Sequence, residues 1–180
     1  MKKAVFMFIA LIILITASGC LQGEETTARF KEIESRQGVE ENSFAPPTNI
    51  QRNNLLNELQ AYSNELSSSN ALNAAEIKLL VDSKISYLKG INSFNEGRKA
   101  LSEQSQVQLD CFGALSAAKR QFNLALNNLN EAERNLNTLL GKQLKEETLI
   151  EADRLSIAVS SFKALLSDGI NNINEACSFQ

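Results

Sequence analysis

The sequence predicts an all-α fold, an antiparallel four-helix bundle with long helical hairpins, preceded by a signal segment and a disordered tether. Apolar residues recur three and four positions apart through residues 50–180, which is the period of one face of an α-helix. No proline occurs in that range, so nothing there forces a helix to end early. Turn-prone segments divide the range into four stretches of helical length.

The first hairpin is predicted to join a helix over about residues 50–66 to a second helix that ends near Ser105. The turn-prone residues 67–70 end the first helix. Asn73 and Glu76 have the spacing of a capping box, which starts the second helix. The apolar stripes of these two helices comprise Leu55, Leu56, Leu59, Tyr62 and Leu66, and then Ile77, Leu80, Val81, Ile85, Leu88, Ile91, Phe94 and Leu101.

The second hairpin follows the same signals. Ser105 with Gln108 has the capping-box spacing at the start of the third helix, Gly141 marks its end, and Thr148 with Glu151 starts the fourth. The apolar residues of the third helix form two columns of heptad spacing, which is typical of a helix-packing seam. The columns are Leu115, Phe122, Leu129 and Leu136 beside Cys111, Ala118, Ala125, Ala132 and Leu139, and the fourth helix carries Leu155, Val159, Phe162, Leu166, Ile170 and Ile173.

One short motif occurs three times, at residues 90–97, 125–132 and 169–176. Each copy begins and ends with glycine or alanine, and small residues at those positions allow two helices to approach closely. The asparagines of the motif mostly fall on the face away from the apolar stripe. They are either solvated surface or hydrogen-bonding groups for a glycan or a partner helix.

Residues 20–49 are predicted to be a flexible tether that precedes the bundle domain, residues 50–180. The segment is polar, and it ends in Ala45-Pro46-Pro47-Thr48, which cannot continue a helix. Phe30 and Ile33 are compatible with a short helical turn, but the composition favours disorder.

The N-terminus has the layout of a secretory signal. Lys2 and Lys3 precede the apolar run Ala4 to Ile15, and the small residues 16–19 lead directly into Cys20. The lysines stay with the cytoplasmic head groups while the following chain is carried across the membrane. The body of the protein is therefore expected on the extracytoplasmic face.

The segment Ala17-Ser18-Gly19-Cys20 resembles the lipobox of prokaryotic lipoprotein precursors, although that family prefers leucine where this chain has Ala17. The resemblance implies that residues 1–19 are removed as a signal peptide and that Cys20 becomes the lipidated N-terminus. The alternative is an uncleaved anchor helix over residues 4–21, which is just long enough to span a bilayer. Both readings give the same topology.

Composition excludes several classes of function. Without Lys2 and Lys3, 16 basic side chains remain against 21 acidic ones, so the surface has no electrostatic reason to bind nucleic acid. The chain has no histidine, which excludes histidine-containing catalytic triads and imidazole metal sites. Paired acids such as Glu146-Glu147 are far more often solvated surface than catalytic groups. We expect no enzyme activity and no cofactor.

A hydrolase that uses carboxylates alone is a third hypothesis, but no motif supports it. The first two hypotheses concern binding. The first is a non-enzymatic helical binding or structural module of the cell envelope, which is held to the membrane by its N-terminal lipid and has a protein partner there. The second is a small-molecule sensor or carrier with a ligand in the bundle core. For that hypothesis, the polar groups nearest the apolar stripes are Tyr62, Tyr87, Lys84 and Asn95.

With Cys20 lipidated, Cys111 and Cys177 are left to form a disulfide in an oxidising compartment. Both lie 33 residues from Leu144, the centre of the predicted turn between the last two helices, so an antiparallel hairpin brings them level. The same register sets Leu115 beside Ile173, so apolar residues meet along the seam.

Non-reducing peptide mapping of the exported protein should therefore find the Cys111 and Cys177 peptides joined. Closing so long a loop stabilises the fold by about 4 kcal/mol in the entropic model. Two free thiols in exported material would contradict the pairing, as would Cα atoms more than about 7 Å apart.

Overall fold

The structure, a computed structural model, describes residues 26–40, 43–102 and 113–178. Within these ranges the ordered elements are all helices, and no strand occurs. The helices are α1 (26–36), α2 (Asn49–Ser67), α3 (Ala74–Ser102), α4 (Ala114–Leu140) and α5 (Glu146–Ser178). They pack as a bundle, in which α3 and α4 make the most extensive contact. The predicted all-α class is confirmed.

Two glycines of α3 allow α4 to approach closely. A Cβ atom on Gly90 would lie 3.4 Å from the carbonyl oxygen of Ala125, and one on Gly97 would lie 3.3 Å from that of Ala118. A Cβ atom on Gly97 would also overlap the ring of Phe122. As the numbers rise along α3 they fall along α4, so these two helices run antiparallel.

The role predicted for the small residues of the repeated motif is confirmed in part. Gly90 and Gly97 permit the approach of α4, and Ala125 and Ala132 of the second copy are fully buried. Gly169 of the third copy differs, because a Cβ atom there would meet no neighbouring atom within 4 Å. Sequence similarity within the motif therefore does not give all three copies the same packing role.

Aromatic rings join α3, α4 and α5 in the bundle core. The ring of Phe94 lies 5.5 Å from that of Phe122 and 5.2 Å from that of Phe162, measured between centroids. Tyr87 meets Phe162 edge to face at 6.2 Å, and burial raises the pKa of its hydroxyl. Such edge-to-face pairs add to the stabilisation that burial alone provides.

The structure differs from the predicted tether over residues 26–36, which form helix α1. Phe30 and Ile33 are three residues apart, so they lie on one face of the helix, and they are 2% and 3% exposed. The hydroxyl of Tyr62 in α2 donates to the carbonyl of Thr26 at 2.7 Å. A largely polar segment is thus ordered because two apolar side chains enter the core together.

The end of the predicted tether is also held in place. The guanidinium of Arg52 donates to the carbonyl oxygens of Pro46 at 2.9 Å and Pro47 at 3.1 Å. Arg52 is buried, and this desolvation lowers its pKa. The two prolines therefore lead into α2 at a fixed position.

Helix ends follow the sequence signals with one correction. Gly141 follows α4, and its N–H donates back into the last turn as predicted. Thr148 does not cap the last helix, because α5 begins two residues earlier at Glu146. The side chain of Thr148 is buried instead, and its hydroxyl lies 3.3 Å from that of Thr27. Glu146 and Glu147 favour the earlier start, since carboxylates in the first turn interact well with the helix dipole.

Replacing Gly97 by alanine should lower the free energy of unfolding because the added methyl group must displace the buried ring of Phe122. Gly169→Ala is the matched control, with the same gain in helix propensity and open space around the new methyl group. Chemical denaturation should place Gly97→Ala about 1–3 kcal/mol below Gly169→Ala in stability. Equal stability of the two variants would contradict a tight contact between α3 and α4.

Candidate functional site

A cavity of about 300 Å³ lies where α1, residues 39–40 and 43–44, α3 and α5 meet. Apolar side chains contribute to its wall, among them Phe30, Leu80 and Leu155. Charged side chains line it as well, namely Lys31, Lys84, Arg154, Glu34, Glu40 and Glu151. Among the described residues that line the cavity, the three basic groups balance the three acidic groups.

A buried ion pair joins two walls of the cavity. The ammonium of Lys84 in α3 contacts the carboxylate of Glu34 in α1. The two side chains are only 5% and 12% exposed. Forming such a pair from solvated ions gains little net stability, whereas removing one partner strands a charge in a poorly solvated place. The pair therefore fixes the position of α1 on α3.

A second group of charges connects α1 to α5. The carboxylate of Glu151 forms ion pairs with Lys31 at 3.4 Å and with Arg154 at 3.6 Å. Glu151 is the least exposed of the three, at 14% of its side chain. Two cations around one carboxylate compensate its loss of water. The carboxylate of Glu151 therefore helps to hold α5, which forms one wall of the cavity, against α1.

The four residues named for a ligand in the bundle core are not brought together. Lys84 lines the cavity, but Tyr62 is buried between α1 and α2, and Tyr87 packs on Phe162. Asn95 lines a separate shallow cleft near the start of α2. The cavity also lies beside α1 rather than in the centre of the bundle.

Sequence reasoning missed the residues that α1 contributes to the cavity. Phe30 and Glu34 lie in the segment predicted to be a tether, and their four-residue spacing on one helix face was the available signal. Glu151 was assigned to a capping box, although its carboxylate faces Lys31. The roles of these three residues depend on which helices pack against one another, and local sequence patterns do not show that.

The cysteines are described only in part. Cys20 and Cys111 lie outside the described residues, as does the predicted cap of Ser105 and Gln108. Cys177 is half-buried in the last turns of α5 and packs against the core. Its pairing with Cys111 stays a prediction.

Two further observations concern only the part of the chain that the structure describes. No group of three or more histidine, cysteine, aspartate or glutamate side chains is arranged there to hold a metal ion. None of the helices in the described ranges combines the length and the apolar character that crossing a membrane requires.

Comparison with known proteins gives no relative: no protein-family model, curated protein or solved structure matches the chain significantly.

Replacing Lys84 by methionine should strand the carboxylate of Glu34 and lower the free energy of unfolding by about 3 kcal/mol. The double variant Lys84→Met with Glu34→Leu should recover most of that loss, because neither charge is left alone. Arg36→Met is the control. Its ion pair with Glu58, at 3.3 Å, is solvent-exposed, so its loss should cost about 1 kcal/mol or less. Equal effects of the two single variants in chemical denaturation would refute a buried pair.

Proposed function

We propose that this protein is an extracytoplasmic lipoprotein, anchored to the membrane through Cys20, that acts as a non-enzymatic helical binding or structural module of the cell envelope. The observation that carries the proposal is the sequence of two lysines, an apolar run and small residues directly before Cys20. Two acyl chains on one residue provide the two hydrophobic signals that stable attachment generally requires.

The fold is consistent with a rigid module. Helices α2 to α5 are proposed to form an antiparallel four-helix bundle, since the connections at residues 68–73 and 141–145 are short enough for antiparallel neighbours. Helix α1 adds a fifth element with ion pairs to three others, through Arg29 with Glu65 of α2, Glu34 with Lys84 of α3 and Lys31 with Glu151 of α5. A disulfide between Cys111 and Cys177 is proposed to hold the end of α5.

The attachment of α1 bears directly on this role. Only residues 21–25 separate Cys20 from the first described residue of α1. A lipidated Cys20 would therefore connect the membrane to a helix that is packed into the core. Such a short connection suits a module that is held at a fixed distance from the membrane. A long flexible tether would not fix that distance.

The second candidate is a carrier or sensor of a small molecule, and the cavity beside α1 favours it. Its wall combines the apolar rings of Phe30 and Phe44 with balanced charges. Native mass spectrometry of the full-length protein separates the two candidates. A small molecule retained by the wild type and lost from Lys84→Met would favour the carrier.

Replacing Cys20 by serine should remove the site of lipidation, because the thioether to the diacylglycerol requires the cysteine sulfur. Intact-mass analysis should show wild-type protein that begins at Cys20 and carries lipid, and an unlipidated variant. The wild type should stay with membranes through carbonate and salt washes and be released by detergent.

The matched control is Cys177→Ser, which should keep the wild-type processing and membrane attachment. Identical cleavage and retention of Cys20→Ser and the wild type would refute the lipoprotein proposal. The uncleaved anchor helix over residues 4–21 would then account for the attachment.

A further inference from the structure

One end of the bundle, here called the loop end, carries the first described residues of α1 and the connections 68–73 and 141–145. Thr26 accepts the hydrogen bond of Tyr62 near the C-terminal end of α2, and Thr27 contacts Thr148 near the start of α5. The ammonium of Lys142 lies 3.1 Å from the carboxylate of Glu76 in the first turn of α3. Helices α2 to α5 thus each begin or end close to the first described residue of α1.

The length of chain between Cys20 and Thr26 limits how far this end can lie from the membrane. Six residue steps span at most about 20 Å when fully extended, at 3.3–3.6 Å per residue. Helix α2 has 19 residues and is itself about 28 Å long at 1.5 Å per residue. Thr26, at which this segment joins α1, lies beside Tyr62 in the C-terminal part of α2 and not beside the first turn of α2 at Ile50.

Exposed aliphatic side chains occupy the loop end. Leu72 in the connection between α2 and α3 is 84% exposed, and Ile150 in the first turns of α5 is 48% exposed. The two lysines of the connection 141–145 are balanced by Glu146 and Glu147 in the first turn of α5, so residues 141–147 carry no net charge. Apolar groups on a neutral surface fit the interface of zwitterionic lipids, where transfer from water is favourable.

We propose that the loop end rests against the lipid surface to which the N-terminus is attached, with Leu72 and Ile150 in the head-group region and the opposite end directed away from the membrane. This inference rests on the proposed membrane attachment through Cys20. It adds an orientation: partners reach the end of the bundle that contains the start of α2, and the membrane covers the loop end.

The chain contains no tryptophan, so a single introduced tryptophan reports its own surroundings. Leu72→Trp and Ile150→Trp place the reporter at the loop end. Ile50→Trp and Leu165→Trp are the controls, because these side chains are 74% and 67% exposed and lie far from that end. All four positions are exposed, so the substitutions leave the core intact.

Each lipidated variant, with its lipid verified by intact mass, is bound to phosphatidylcholine vesicles that carry bromine on the acyl chains, which quenches nearby tryptophan. We expect a larger fractional loss of fluorescence and a shorter emission wavelength for Leu72→Trp and Ile150→Trp than for the two controls. Equal quenching at all four positions would overturn the orientation. Stronger quenching at Leu165 would also overturn it, since the bundle would then lie on the outer face of α5.

A longer tether tests the cause of the orientation. A flexible glycine and serine insert between Gly23 and Glu24 should abolish the difference in quenching while the protein still floats with the vesicles. An unchanged difference would overturn the role of the short tether. An exported wild type that carries no lipid by intact mass and does not float with vesicles would overturn the proposed anchor together with this inference. Bound protein with no difference among the original four variants would overturn the orientation alone.

Discussion

The close approach of α3 and α4 is the constraint on which the other helix positions depend. Gly90 and Gly97 place backbone against backbone, so the rings around them must fit the space that remains. Phe122 lies over Gly97, and Phe94 bridges it to Phe162 of α5. A helix pair separated by larger side chains would move this aromatic group apart. The seam therefore also determines where α5 stands, and with it one wall of the cavity.

Helix α1 uses the space that the longer helices leave. It contacts α2, α3 and α5 through ion pairs, and it adds Phe30 and Ile33 to the core. Most ion pairs of α1 are exposed and contribute little to the free energy of folding. Its two apolar side chains and the pair between Glu34 and Lys84 are buried. The burial of those few groups thus outweighs a composition that is typical of disorder. Residues 26–36, which were predicted to belong to a flexible tether, are therefore part of the folded domain.

The sequence predicted what depends on local periodicity. The heptad columns of α4 are buried where they are described, α2 and α3 begin at or next to the predicted positions, and Gly141 follows α4. Predictions from the sequence were wrong where the structure of a segment depends on the helix that packs against it. Phe30 and Ile33 alone are too weak a pattern for a helix, and their burial requires the space beside α2 and α5. Thr148 had the residue type of a cap, but the packing of Thr27 and two earlier glutamates set a different start for α5. The cavity was missed for the same reason, because α1 builds one of its walls.

Helix α1 links the N-terminus to the cavity physically. Lys31 and Glu34 line the cavity from α1, whose first described residue is six positions after Cys20. A molecule that binds only when α1 is packed must stabilise that packing by mass action. Linkage between two binding events is reciprocal. If contact of the loop end with lipid also holds α1 in place, that contact raises the affinity of the protein for such a molecule, and the molecule strengthens the lipid contact by the same factor. The two proposed roles, binding a small molecule and holding the module at the membrane, would therefore be coupled through the packing of α1.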